Sequence, residues 1–258
     1  MGAVKILVTG SRGGCGKSSV AAGLAAALSL MGEKTALIDL DLAERSLDMY
    51  LGCEDRVVYD LGDLLSGERS VRDVAVRPDG LDRLYLIPGA YHLRRPPTQT
   101  ELARVLSAAE GELGVTHVVI DTSGVADPSV KLGAALCDRA LLVVTDGYLP
   151  MRSASSLADT FHEWGMDEVE MVVNRFSMDP KHPTDLRNVI DTTGLRLIGV
   201  VPDIPPFARM QDAGTPAVRC REAAPVAAAL DNIAHRLAGE NRPLLSGISC
   251  KRRKLLAV

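Results

Sequence analysis

Short apolar runs alternate along the whole chain with segments in which apolar residues recur at helical spacing. A short apolar run bounded by turn formers predicts a buried strand, and intervals of three and four predict an amphipathic helix. The runs predict strands at 3–9, 34–39, 83–88, 116–121, 139–145, 169–174 and 196–201. The segments between them predict helices at 17–31, 46–51, 60–66, 98–112, 128–136, 151–164, 184–193, 206–213 and 222–238. This alternation predicts an α/β fold, a mainly parallel sheet with helices on both faces.

The chain shows no internal repeat or linker, so we expect one domain over residues 1–240 and a basic tail over 241–258. Apolar residues make up 47% and aromatic residues 3%, which predicts a core of Ala, Val, Leu and Ile. The net charge of −4 gives no general attraction to nucleic acid, and no specific nucleic-acid partner is expected.

Targeting and redox signals favour the cytoplasm. No apolar stretch reaches the roughly 18 residues of a membrane span, and the N-terminal run is too short and glycine-interrupted for a signal peptide. The five cysteines contain no C-x-x-C pair, which argues against a disulfide framework or a zinc site. They are Cys15, Cys53, Cys137, Cys220 and Cys250.

A glycine-rich loop between the first strand and the first helix is the strongest chemical signal. Its candidate residues for binding a nucleotide are Gly13, Gly14, Cys15, Gly16, Lys17, Ser18 and Ser19. Glycines let backbone N–H groups turn toward an anion, and the helix N-terminus adds its positive end. Lys17 can reach β- and γ-phosphates and the Ser18 hydroxyl can hold Mg²⁺, so ATP and Mg²⁺ are the expected cofactors. Ser11 stands where the usual pattern has a glycine, and a plain glycine turn is the alternative.

The stretch Arg12–Ser18 resembles the deviant Walker A loop of the MinD/ParA ATPases, whose second lysine precedes the glycine pair where this chain has Arg12. The stretches 35–41, 45–48 and 56–61 resemble the MinD branch more than the ParA branch. The resemblance implies a P-loop NTPase fold, ATP hydrolysis and an ATP-dependent homodimer. It also implies a regulatory or activator protein as partner, and a peripheral position at the inner face of the cell membrane.

Three strand-end aspartates are candidates for catalysis and metal binding. The resemblance implies that Asp41 orients the attacking water and that Asp39 acts near Mg²⁺. Asp121 ends a continuous apolar strand, the place of the Mg²⁺ carboxylate in P-loop enzymes. Acids that merely cap the following turns are the alternative. Ser123-Gly124 is shorter than the family pattern at the second switch, so a different switch geometry is expected.

The residues that contact the nucleobase and the residue that reaches across the dimer are also assigned by resemblance. Asn174 and Arg175 resemble the base-contacting strand end of the family, and Pro202-Asp203 resembles the second side of that pocket. The alternative for Asn174 is a turn former that closes a strand. Arg12 would reach the nucleotide of the partner subunit as a catalytic residue, although arginine and lysine are not interchangeable at close-fitting sites. A solvent-facing Arg12 is the alternative.

The tail carries a basic cluster, Lys251–Lys254, and apolar residues that share an imperfect helical face. Each cation contributes about 1 kcal/mol near an anionic surface, so residues 243–258 are expected to bind anionic membrane weakly. A solvated tail is the alternative.

Two functions remain open. One is a MinD-like ATPase that positions a division or polar apparatus. The other is a non-hydrolysing nucleotide-binding scaffold for a pilus, flagellar or secretion system.

Overall fold

Seven parallel strands form one sheet in the computed structural model of the chain, which describes residues 2–10, 12–93, 95–124, 127–179 and 186–245. The strands are β1 (Val4–Gly10), β2 (Thr35–Asp39), β3 (Leu84–Ile87), β4 (His117–Asp121), β5 (Arg139–Thr145), β6 (Val169–Phe176) and β7 (Arg196–Pro202). Their order is β3-β2-β4-β1-β5-β6-β7. All seven predicted strands and the parallel sheet are therefore confirmed.

The helices follow the predicted alternation. They are α1 (Lys17–Leu30), α2 (Leu47–Tyr50), α3 (Leu61–Ser66), α4 (Val71–Val74), α5 (Gln99–Ala108), α6 (Pro128–Ala134), α7 (Tyr148–Glu163), α8 (Leu186–Thr193), α9 (Pro205–Asp212) and α10 (Ala224–Leu237). A π-helical turn, Ala109–Leu113, continues α5. Helix α4 was not predicted, although Ser70 and Asp73 form a capping box at its start. The first two residues of the helix predicted at 184–193 lie outside the described residues.

The two faces of the sheet carry separate apolar cores. One core joins the sheet to α3–α8 through residues such as Leu61, Leu102 and Phe161. The other joins it to α1, α2, α9 and α10 through residues such as Leu24 and Leu230. Strands buried on both faces are continuously apolar, which explains why runs rather than alternation marked them in the sequence.

The central strand β1 lies between β4 and β5, the point at which the strand order reverses. Parallel sheets of this kind bind ligands outside the carboxyl ends of the strands at such a point. Asp39 pairs with Asp121 in the β2–β4 register, and Thr145 pairs with Asn174 in the β5–β6 register. The sheet therefore brings residues far apart in sequence to the edge where the glycine loop begins.

The segment after α10 runs along the outer edge of β7. The backbone N–H of Val200 donates to the carbonyl of Leu244 at 3.3 Å, and Arg236 donates to the carbonyl of Arg242 at 2.7 Å. Leu244 is buried in the core on the opposite face from α10. Of the predicted tail, residues 246–258 lie outside the described residues. Among the described helices, none combines the length and apolar character that crossing a bilayer requires.

Two glycines allow the backbone after α2 to contact the backbone after α9. Gly52 follows α2 with φ of 63°, and a Cβ on it would collide with the carbonyl oxygen of Gly214 after α9. Gly214 also has positive φ, 68°. The contact requires the absence of a side chain at position 52 because the opposing atom is backbone and cannot rotate away.

We expect Gly52→Ala to lower the free energy of unfolding by about 3 kcal/mol, from left-handed backbone strain of roughly 1–2 kcal/mol and overpacking of about 1–3 kcal/mol. Gly67→Ala is the matched control, since Gly67 has φ of 77° with open space around it. That variant should lose only about 1 kcal/mol. Urea unfolding measures both. Equal losses would show that the α2–α9 approach is not tight.

Candidate functional site

The glycine loop connects β1 to α1 at the carboxyl edge of the sheet. Gly14 and Gly16 have φ of 73° and 87°, conformations that glycine adopts without strain. Gly16 caps α1 without a side-chain hydrogen bond, so the first N–H groups of the helix remain directed at the loop. Arg12, Gly13 and Gly14 are exposed at its rim. The loop has the geometry of an anion cradle at a helix N-terminus.

Two polar side chains of the first turn of α1 are buried beneath this loop. Lys17 is 6% exposed and Ser18 is 9% exposed. The aliphatic stem of Lys17 and the buried Cys15 pack over Gly10, where a Cβ would collide with both. Burial raises the pKa of Cys15 and the Lys17 ammonium opposes that shift, so Cys15 is a packing residue of the loop. Lys17 is therefore held in a defined place instead of in solvent.

Asp121 lies fully buried at the end of β4, opposite Lys17 and Ser18. Neither carboxylate oxygen has a hydrogen-bond partner in the described part of the chain. Burial raises the pKa of Asp121 well above its ordinary value and the Asp39 carboxylate adds to this, while Ser18 and Lys17 act in the opposite direction. A buried carboxylate without a partner is costly, so this one indicates a missing cation or donor.

Asp39 is equally buried but is hydrogen-bonded. Its Oδ1 accepts from the backbone N–H of Asp41 at 3.0 Å, and its Oδ2 accepts from that of Leu47 at 3.5 Å. Burial raises the pKa of Asp39 to about 7 against these two bonds, and the charges of Asp41 and Asp48 add to the increase. Asp39 thus ties the start of α2 to the strand end while facing Asp121.

Asp41 caps the turn that follows β2, as the alternative to a catalytic role predicted. Its Oδ1 accepts from the backbone N–H groups of Ala43 and Glu44 at 3.2 and 3.3 Å. Among the described residues, no donor is hydrogen-bonded to Oδ2, so this oxygen can accept a further hydrogen bond. Arg45 follows with φ of 33° and an ion pair to Asp48 at 3.0 Å, beneath the ring of Tyr91. Sequence analysis had noted Arg45 only as part of a resemblance.

The donor set fits Mg²⁺. This ion is hard, takes oxygen ligands and is usually bound by one or two carboxylates together with phosphates and waters. The Ser18 hydroxyl and the carboxylates of Asp39 and Asp121 are oxygen donors at one sheet edge, and the oxygens of Asp121 lack partners. A divalent cation here would offset the burial of negative charge. No residue in this group is a soft ligand.

A cavity of about 300 Å³ opens beside the loop between β6, β7 and α9. Asn174, Arg175, Pro202 and Asp203 line it, as the assignment to a base pocket requires. The amide of Asn174 also makes a hydrogen bond within the protein: its Nδ2 donates to the carbonyl of Cys15 at 2.8 Å. Asn174 therefore anchors the glycine loop, and its Oδ1 and the second N–H of its amide are left for a base. The role of this group in base binding stays a prediction.

Sequence analysis missed one member of this cavity, Gln211 in α9. Its Oε1 accepts a hydrogen bond from the hydroxyl of Ser19 at 2.8 Å. The two residues are 192 positions apart, and no local pattern in the sequence marks such a pair. Asn174 and Gln211 thus hold the loop and the first turn of α1 from two sides.

Comparison with known proteins gives one family. Residues 6–217 match the CobQ/CobB/MinD/ParA nucleotide-binding domain. The septum site-determining protein MinD of Synechocystis is 28% identical, covering 93% of this chain and 91% of the relative. The chain in the MinC:MinD cell division complex of Aquifex aeolicus superposes with a TM-score of 0.86 and 26% identity, over 95% of this chain and 99% of that one.

A third relative bears on the fold alone. The MinD of Pyrococcus horikoshii, solved with Mg-ADP, has a TM-score of 0.77 and 22% identity over 92% of this chain and 96% of its own. The similarities span nearly the full length of the relatives, so the architecture, and not just the loop, is shared.

The contrast between the two buried aspartates generates a prediction. Asp121→Asn should raise the free energy of unfolding of the nucleotide-free protein by about 1–3 kcal/mol, because it removes a buried carboxylate without partners. Asp39→Asn should not stabilise, because its NH₂ group would face one of the two backbone N–H groups that the carboxylate now accepts. Denaturant unfolding without nucleotide or Mg²⁺ measures both. An Asp121→Asn protein no more stable than wild type would contradict the assignment of an uncompensated charge.

Proposed function

Because the chain belongs to the CobQ/CobB/MinD/ParA nucleotide-binding family, we propose that it is a MinD-like ATPase that positions a division or polar apparatus. The observation that carries the proposal is the fully buried carboxylate of Asp121, whose oxygens have no hydrogen-bond partner among the described residues. It lies beside the buried Lys17 and Ser18, under a glycine loop at a helix N-terminus. A magnesium–nucleotide supplies what each part lacks. The phosphates accept from the loop and from Lys17, and the cation meets the carboxylates.

The proposed metal ligands are Ser18, Asp39 and Asp121. Mg²⁺, when bound, neutralises part of the charge on the phosphates. The proposed phosphate ligands are the backbone of Gly13, Gly14, Cys15 and Gly16 and the side chains of Lys17 and Ser19. The MinD of Pyrococcus horikoshii, which shares this fold, was solved with Mg-ADP, and a magnesium–nucleotide is the kind of ligand proposed here.

Hydrolysis requires a water in line with the γ-phosphorus. Asp41 accepts a hydrogen bond from that water through Oδ2, because Oδ1 caps the turn at Ala43 and Glu44. The water oxygen then bonds to phosphorus as the bond to the bridging oxygen breaks, so ADP leaves with that oxygen and a proton of the water passes to a phosphate oxygen. Lys17 stabilises the charge that develops on the phosphate oxygens. The nucleobase occupies the 300 Å³ cavity, between Asn174 and Arg175 on one side and Pro202 and Asp203 on the other.

Arg12 is proposed to act in trans. Arg12 is exposed at the loop rim. A second copy facing the loop would place this guanidinium against phosphate oxygens, which its planar fork can grip with two hydrogen bonds. ATP would thereby assemble a homodimer. A regulatory protein that binds this dimer is supported by the MinC:MinD complex of Aquifex aeolicus.

We propose an ATPase domain, 1–240, followed by a basic tail, 241–258, whose first residues as far as Leu244 pack against β7. Dimerisation pairs two tails, and paired weak anchors bind anionic membrane more strongly than one. The protein would then be cytoplasmic and peripheral at the inner face of the membrane. Most of this tail lies outside the described residues, so its sequence alone supports this part of the proposal.

The second candidate, a non-hydrolysing scaffold of the same fold for a pilus, flagellar or secretion system, is favoured by one observation. Arg12 replaces the family lysine, and guanidinium and ammonium differ in size and donor geometry. ATP turnover by the purified protein, with and without anionic vesicles, separates the two. The ATPase proposal expects turnover, and the scaffold expects ATP binding without it.

Lys17→Ala is expected to weaken ATP binding at least tenfold, since a charge-assisted hydrogen bond contributes about 1.5–3 kcal/mol. Titration with a fluorescent ATP analogue measures this. Lys131→Ala on α6 is the matched control, because Lys131 is exposed and lies over Trp164, away from the loop. Equal affinities of Lys17→Ala and wild type would exclude the phosphate-binding role.

Arg12→Ala is expected to retain the nucleotide affinity of the monomer and to lose ATP-dependent dimerisation, while Arg12→Lys keeps it. Size-exclusion chromatography with light scattering, in ATP, in ADP and without nucleotide, reads the mass directly. Arg104→Ala, at an exposed position of α5, controls for a general loss of positive charge. Normal ATP-dependent dimers of Arg12→Ala, or a wild type that stays monomeric in ATP, would show that Arg12 does not act in trans.

A further inference from the structure

Gln211 is the only buried residue of α9, and it is polar. Its exposed fraction is 7%, whereas the remaining residues of the helix are half-buried or exposed. Phe207 and Met210 of the same helix pack on the apolar core beneath it. An apolar side chain would pack there without the desolvation cost of an amide. A requirement other than stability therefore accounts for the glutamine.

The hydrogen bond of Gln211 connects α9 to the first turn of α1. Ser19 Oγ donates to Gln211 Oε1 at 2.8 Å, and both residues line the 300 Å³ cavity beside the glycine loop. Ser19 is the third residue of α1, within the turn whose N–H groups face the loop. Its hydroxyl therefore stands between the cavity and the place where phosphate would lie.

The hydroxyl proton of Ser19 has two competing acceptors. A serine hydroxyl has one proton to donate and two lone pairs that accept. In the described geometry the proton is given to Gln211 Oε1. A phosphate oxygen at the helix N-terminus is an acceptor only, so it can bond to this hydroxyl only if the proton turns away from Gln211.

A glutamine can follow that change, because its amide carries an acceptor and a donor at nearly the same distance from Cγ. A half-turn of the terminal torsion replaces Oε1 by Nε2, and this torsion is soft. Nε2 then donates to Ser19 Oγ while Ser19 donates to the phosphate, and each bond of such a chain polarises the next. Glutamate can only accept, and methionine of similar length can do neither.

We propose that Gln211 is a positioning residue for the nucleotide: it accepts the Ser19 proton when phosphate is absent and donates to Ser19 when phosphate binds. This inference rests on the proposed function, because it takes the phosphate of a nucleotide as the second acceptor. It assigns α9 a part in phosphate binding as well as in lining the cavity.

The test is a double-mutant cycle on ADP affinity, measured by isothermal titration calorimetry. Gln211→Met should weaken ADP binding about fivefold in the protein with Ser19 and leave it unchanged in the Ser19→Ala background. Gln211→Glu should weaken binding more in the Ser19 protein than in Ser19→Ala, where only its charge acts. Ser19→Thr keeps the hydroxyl and should keep the coupling.

Gln211→Glu still accepts from Ser19 but cannot donate to it, and its buried charge should lower the unfolding midpoint measured without nucleotide. A purely structural bond predicts that ADP affinity falls equally with and without the Ser19 hydroxyl, so the dependence of the Gln211→Glu loss on this hydroxyl separates the two roles. If Gln211→Glu loses affinity equally with and without the Ser19 hydroxyl, or if Gln211→Met and Ser19→Ala act additively, the inference is wrong. A wild type that binds no ADP would instead overturn the proposed function and the inference with it.

Discussion

The architecture of the site depends on one electrostatic constraint, the burial of two facing carboxylates at the ends of adjacent strands. Asp39 and Asp121 pair in register, and burial raises the pKa of both. Asp39 is compensated by backbone N–H groups, whereas Asp121 has Lys17 and Ser18 nearby but no hydrogen-bond partner among the described residues. A fold that keeps such a group loses stability, so its retention indicates a cationic ligand.

Contacts between several helices and strands hold the two aspartates and the glycine loop in place. Asp39 holds the start of α2, and α2 meets α9 through Gly52 and Gly214. From α9, Gln211 reaches the first turn of α1, and from the end of β6 Asn174 holds the carbonyl of Cys15. The loop, the acidic edge and the cavity are thus connected through contacts between several elements.

Most of the fold could be predicted from the sequence, because buried parallel strands are continuous apolar runs and glycine, proline and capping residues mark their ends. Helix α4 was not predicted, although α2, which is equally short, was. Within the site, the glycine loop and Asp121 carry local signals. The Asn174–Cys15 and Ser19–Gln211 bonds join positions 159 and 192 residues apart, and only the tertiary arrangement reveals them. Whether Asp41 caps a turn could likewise not be decided from the sequence, because it depends on the conformation of the loop after β2.

The central claim is that this edge of the sheet is a site for a nucleotide together with a divalent cation. Calorimetric titration of the wild-type protein with ATP, in Mg²⁺ and in EDTA at equal ionic strength, tests it most directly. The account predicts one nucleotide per chain and binding at least tenfold tighter with Mg²⁺, because the cation contacts both the phosphates and the acidic residues. Equal affinity in the two conditions, or no binding, would contradict it.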